Sequence, residues 1–149
     1  MKAHRVGVVE ETALDGYHYA SSFAVGIRSG DTRSSEQWVR SMFENASAPV
    51  QTFVLFGWKN LLQLRLGPKS SSDYVLGWKV TSTTPEVIVL DVQSPLLQVR
   101  KVLRVEASRV VTTTCVRYDL WAARVIWAMV APVHHRTEPF LLGRAGSLA

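Results

Sequence analysis

Four side chains have the types and spacing that could move a proton or hold a polar ligand group: His134 and Glu138, one helical turn apart, with Lys101 and Tyr118 upstream. Imidazole changes charge near neutral pH, and a carboxylate four residues on can orient it and raise its pKa. A His134–Glu138 pair at a cavity wall therefore has the makings of a general base. Such a pair is more often a structural hydrogen bond, and Pro139 could pull Glu138 out of helical geometry. Lys101 shares an alternating phase with Leu97, Val99, Leu103 and Val105, the phase that should face inward. An amine among aliphatics needs a carboxylate such as Glu138, a water-filled space or an acidic ligand head group.

Other chemistries find less support. His134 and His135 point about 100° apart on a helix, so they do not readily chelate one ion, and no cysteine or acidic cluster adds ligands. No metal site is expected. The lone Cys115 stands among Val111, Thr113 and Arg117 in a strand-like stretch, which suits a small packing residue better than a nucleophile. Glu10-Glu11 reads as a solvated charge pair rather than a glycosidase acid and base. Neither a glycine-rich phosphate loop nor a serine nucleophile elbow is present.

The elements that must position these residues follow from periodicity. Residues 17–28 alternate, with Tyr17, Tyr19, Phe23, Val25 and Ile27 on one phase, and read as a strand. A serine, Ser34 or Ser35, can cap a helix in which Trp38, Val39, Met42 and Phe43 recur at helical spacing. A second helical stretch runs from Pro49 to about Leu66, stopped by Gly67-Pro68 and a serine run, Ser70-Ser71-Ser72, that reads as a mobile loop. Residues 74–81, 86–92, 97–106 and 110–120 then read as strands with short connections, hence antiparallel neighbours. On the last of them Val110, Thr112, Thr114, Val116 and Tyr118 form the more apolar phase.

Residues 120–143 predict a long helix, broken or kinked at Pro132, that is apolar around nearly its whole circumference. Something must wrap it, and the preceding strands are the obvious wrapping. The expected architecture is α+β: a curved antiparallel sheet around a long C-terminal helix, with two helices after the first strand. A cavity is expected between the helix face carrying Trp127 and His134 and the strand phases carrying Trp78, Val99, Lys101, Thr112, Thr114 and Tyr118, with Glu138 beside them.

Composition sets outer limits. The 149 residues suit a single domain, 1–149, whose first 16 residues read as a poorly packed N-terminal segment. The first thirty residues lack the pattern of a signal peptide, and residues 120–133 are too short to span a bilayer and carry Arg124, so a soluble, cytoplasmic protein is expected. A net charge of +5 invites a nucleic-acid reading, but the cations are dispersed and no recognition motif accompanies them. Nucleic acid is accordingly disfavoured as a partner, while homodimer formation stays open.

The order strand, two helices, four-stranded meander and long helix resembles the helix-grip fold of the START-like (SRPBCC) superfamily of polyketide cyclases and lipid-transfer domains. Within it, residues 86–90 (Glu-Val-Ile-Val-Leu), Leu97-Gln98-Val99-Arg100, Thr112-Thr113-Thr114 and an aromatic helix leading into Pro132-Val133-His134 are most similar to an uncharacterised bacterial family. The chain departs from that pattern at residues 121–124, Trp-Ala-Ala-Arg, where a glycine-containing helix start is expected. The resemblance implies a hydrophobic cavity and no obligatory cofactor, and it leaves open whether the protein is an enzyme. Three readings follow: a binder of a small lipophilic molecule; a cyclase- or dehydratase-like enzyme in which His134, Tyr118 or Lys101 moves protons; and a non-catalytic scaffold with a filled core.

Overall fold

The period-two stretches of the sequence fall in one open sheet in the computed structural model, which describes residues 2–8 and 13–147. The stretch 74–81, expected as one strand, turns back at Leu76-Gly77 (φ 46° and 93°) and forms two antiparallel strands. The strands are β1 (His4–Val6), β2 (Tyr19–Gly26), β3 (Ser70–Ser71), β4 (Tyr74–Val75), β5 (Trp78–Thr83), β6 (Val87–Gln93), β7 (Leu97–Val105) and β8 (Arg109–Tyr118). All neighbours pair antiparallel in the order β1-β2-β8-β7-β6-β5-β4-β3, so β1 and β3 are the free edges. β2 lies beside β8 although most of the chain separates them, because the helices and the meander intervene between two strands that share one ladder. The charge pair Glu10-Glu11 lies outside the described residues.

Two stretches are better anchored than their composition suggests. The N-terminal segment, expected to pack poorly, supplies edge strand β1 on β2, with Ala3 and Leu14 buried. The serine run, expected to be mobile, is pinned. Ser70 and Ser71 pair with β4, and the Arg40 guanidinium donates to the carbonyls of Ser71 (2.7 Å) and Ser72 (3.4 Å). One arginine thus supplies donors that a polar loop would otherwise seek from water.

Three α-helices cover one face. In α1 (Ser35–Phe43) a reciprocal capping box holds the first turn: the Gln37 N–H donates to Ser34 Oγ and the Ser34 N–H to the Gln37 side chain. Its buried stripe is the expected Trp38, Val39, Met42 and Phe43. The second helical stretch is shorter than its apolar pattern suggests. α2 (Ala48–Phe56) gives way to a π-turn, Gly57–Leu61, and Gln63 then adopts a left-handed conformation (φ 55°) that ends the helix before Leu66.

The C-terminal helix α3 (Trp121–Gly146) runs unbroken through Pro132 and Pro139, so the interruption expected at Pro132 does not occur. Proline there removes a donor to the Ala128 carbonyl, and Ala128 lies on the exposed side, where water can take up the lost bond. α3 buries Ala123, Trp127, Glu138, Leu141, Leu142 and Ala145 in the core shared with the sheet and α1. Trp127 is central to that contact and packs edge-on against Tyr19 of β2, with ring centroids 5.1 Å apart. Trp127→Ala is therefore expected to cost about 3 to 5 kcal/mol. Thermal denaturation should show this as a fall of roughly 2–4 °C per kcal/mol, whereas a fall of only a degree or two would mean that α3 is not held by the sheet.

Candidate functional site

Strand register assembles the polar centre. Lys101 on β7 stands opposite Thr114 on β8, which stands opposite Ser21 on β2, so three polar side chains line up across the covered face of the sheet. α3 lies over this row. At about 100° per residue, Trp127, His134, Glu138 and Leu141 fall on one helix face, and that face meets the row.

The contacts are specific. Lys101 Nζ donates to Glu138 Oε1 at 2.8 Å and to Thr114 Oγ1 at 2.9 Å, and both Lys101 and Glu138 are only 4% exposed. The ammonium also lies 5.5 Å from the Trp78 ring centroid and 5.6 Å from that of Phe43, a favourable arrangement for a desolvated cation. Of the three partners the sequence allowed for Lys101, the structure supplies the carboxylate. Pro139 does not pull Glu138 out of place, because α3 stays helical across it.

Electrostatics divide the carboxylate from the imidazole. Burial opposes ionisation of Glu138, but the Lys101 ammonium and the nearby His134 outweigh it and hold the carboxyl below its usual range. The Thr112 hydroxyl adds a smaller pull, although it meets hydrogen-bond geometry with no group among the described residues. His134 keeps some surface toward the interior space, yet protein atoms hem it in and burial pushes its pKa down to about 4. Glu138 pulls in the opposite direction and loses, so the carboxylate does not raise this imidazole as its spacing suggested. At neutral pH His134 is an uncharged imidazole whose Nε2 lies 3.3 Å from Ser21 Oγ.

A cavity of about 390 Å³ opens beside this cluster, between α3, the α2–π-turn segment and strands β5, β7 and β8. Seven of the nine side chains expected around it are on its walls: Trp78, Val99, Lys101, Thr114, Trp127, His134 and Glu138. Thr112 and Tyr118 are not. Thr112 lies one inward position along β8 from Thr114, beside Glu138 but behind the wall. Tyr118 ends β8, where its ring stacks on His18 at 5.0 Å and Arg124 lies over it, away from the cavity lining. The indole N–H groups of Trp78 and Trp127 are buried without an acceptor among the described residues.

Several polar neighbours of the cluster escaped sequence reasoning. Ser21 shares the inward phase of Tyr19 and Phe23, so alternation could have revealed it. His135 could not have been found that way. It lies about 100° from His134 on the helix, yet its Nε2 hydrogen-bonds the Tyr19 hydroxyl. The remaining wall comes from Phe43, the α2–π-turn segment with Leu62, and Thr137 and further apolar residues of α3. Among the described residues no three His, Cys, Asp or Glu side chains converge as a metal site, and no helix is long and apolar enough to cross a membrane. Set against protein-family models, curated proteins and solved structures, the chain gave no match.

Two stability experiments probe the cluster. Lys101→Met or Glu138→Gln alone should destabilise by about 3 to 5 kcal/mol, because each leaves a buried group without its partner, while Lys101→Met with Glu138→Leu should recover most of the loss. A double variant that loses the sum of the two single losses in denaturant titration would show that the pair is not coupled. The second experiment concerns pH. His134 has a pKa near 6.5 when unfolded and about 4 when folded, so the unfolded chain binds more protons between those values. Its contribution is fully present above about pH 6.5 and is lost as pH falls toward 4, on the order of 3 kcal/mol across the window. His134→Gln should flatten that slope, and an unchanged slope would show that His134 is not the group responsible.

Proposed function

We propose that the protein binds an uncharged, lipophilic small molecule in the cavity between α3, the α2–π-turn segment and the sheet. The supporting observation is the cavity itself: about 390 Å³ with mainly apolar walls and a single polar end, where Lys101 and Glu138 neutralise each other and His134 is neutral. Pockets of this size and make-up suit small molecules, with the few polar groups fixing orientation. A ligand carboxylate would meet an ammonium already satisfied by Glu138 and would bring a net charge into an apolar space, at a cost of several kcal/mol unless matched. A hydroxyl would instead find the Glu138 carboxylate and the neutral His134 imidazole on the wall.

We read the sheet and α3 as a helix-grip fold of the START-like kind, closest to the uncharacterised bacterial family that the sequence resembles. The open antiparallel meander with a long C-terminal helix across it supports that reading. It also leaves a catalytic alternative, a cyclase- or dehydratase-like proton transfer. One observation favours this alternative: a neutral imidazole on the cavity wall within reach of a serine hydroxyl and one turn from a carboxylate. In that role His134 accepts a proton and Glu138 stabilises the imidazolium.

Quenching of tryptophan fluorescence tests the binding reading, since Trp58, Trp78 and Trp127 line the cavity. Long-chain alcohols and uncharged flavonoids should bind at micromolar concentration, about tenfold or more tighter than carboxylates of equal chain length. Equal or tighter binding of the carboxylates would overturn the uncharged-ligand assignment, and no binding of either would overturn the function. His134→Gln should leave affinity within a few-fold. If the protein is a catalyst, the same substitution should cut turnover by about 10²-fold or more while binding persists.

A further inference from the structure

α3 is apolar on the side turned away from the core as well as on the side that packs. Trp121, Val125, Met129, Val133 and Phe140 are all exposed, Trp121 by 80% and Met129 by 65%. At about 100° per residue the last four fall within roughly 80° of one another, together with Arg136, and Trp121 lies about 40° outside them. Met129 and Val133 also rim the cavity, directly across its mouth from Phe53, Phe56 and Leu61, which are exposed too. The result is one apolar surface running along α3 and over the cavity mouth onto the α2–π-turn segment.

Its charge has one sign. Residues 45–72 contain no Asp or Glu, and in α3 the only acid is Glu138, buried against Lys101. Lys59 and Arg136 are exposed on these two segments and form no ion pair among the described residues. Elsewhere Arg33, Arg40, Arg100, Arg109 and Arg117 each have a carboxylate partner.

We propose that this face docks on an anionic phospholipid surface, with the aromatic and aliphatic side chains in the headgroup boundary and Lys59 and Arg136 on lipid phosphates. Exposed Trp and Phe beside unpaired cations, without acids, match the requirements of interfacial binding. A second copy of the chain fits less well. A two-fold contact would bring two faces of the same positive sign together, with no acid on either to pair Arg136 or Lys59. Docking in this orientation would press the cavity mouth against the acyl region, the source and sink of a lipophilic ligand. The proposal stands on the surface alone, whatever the cavity holds.

Vesicle co-sedimentation of the full chain tests it, with phosphatidylglycerol–phosphatidylcholine vesicles set against phosphatidylcholine alone. The expected result is binding to the anionic vesicles, about tenfold or more stronger than to neutral ones and weakened by salt. Val125→Glu with Phe140→Glu should abolish it, and Lys59→Glu with Arg136→Glu should remove the anionic preference. All four positions are exposed and outside the cavity wall, so ligand affinity in vesicle-free solution should not change; this separates a failure here from a failure of the binding function. Brominated lipids should quench the unmodified protein and quench Trp121→Phe less, a readout that does not depend on how the charged variants fold. Absence of binding, equal binding to neutral vesicles, or a dimer in sedimentation equilibrium that Val125→Glu with Phe140→Glu disperses would each overturn the assignment.

Discussion

The ion pair between Lys101 and Glu138 ties the middle of the sheet to the middle of the long helix, and the site is arranged around it. Two charges leave water here, each at a cost of several kcal/mol, so the pair persists only because its remaining bonds are met. Thr114 takes a second ammonium proton, and Trp78 and Phe43 offer their ring faces. The geometry needs both a strand residue at one register position and a helix residue at one angular position. A slip of one residue in β7 would turn Lys101 to the other face, and a rotation of α3 would carry Glu138 away. An apolar pair could hold the same elements together but would tolerate more sliding.

The cavity depends on that constraint from one side and on a local irregularity from the other. Across the mouth, α2 loosens into a π-turn and the chain then leaves helical geometry at Gln63. The wider turn places Trp58 against both Phe43 and Trp78, with ring centroids 5.8 Å and 5.3 Å apart, so the far wall is aromatic and fixed. On the near wall His134 is kept neutral by burial while Glu138 stays ionised through Lys101. Two titratable groups one turn apart are thereby both held deprotonated, one neutral and one charged. The polar end of the cavity carries no net charge, although three ionisable side chains form it.

α3 also explains why its sequence looks buried when only half of it is. A helix apolar all round ordinarily implies protein on every side. Here the sheet and α1 take one side, and the other is left to whatever lies beyond the cavity mouth. Arg136 punctuates that outer stripe and no exposed acid accompanies it, the charge pattern on which the proposed docking rests.

The sequence by itself determined the main strands and helices and their inward faces. Alternation placed Leu97, Val99, Lys101 and Leu103 on one side of β7, and helical spacing placed Trp127, His134 and Glu138 on one side of α3, because side-chain direction follows from backbone period without knowledge of the fold. Most of the cavity wall was legible on those grounds. Only the tertiary structure decided which of three partners Lys101 would meet, that Tyr118 would turn to His18 and leave the cavity, and that His135 would reach Tyr19. It also decided that the serine run would be held by Arg40 and that residues 4–6 would add a strand at the sheet edge. These outcomes rest on contacts between segments far apart in the chain. Local period says which way a side chain points, and the distance between elements says what it finds there.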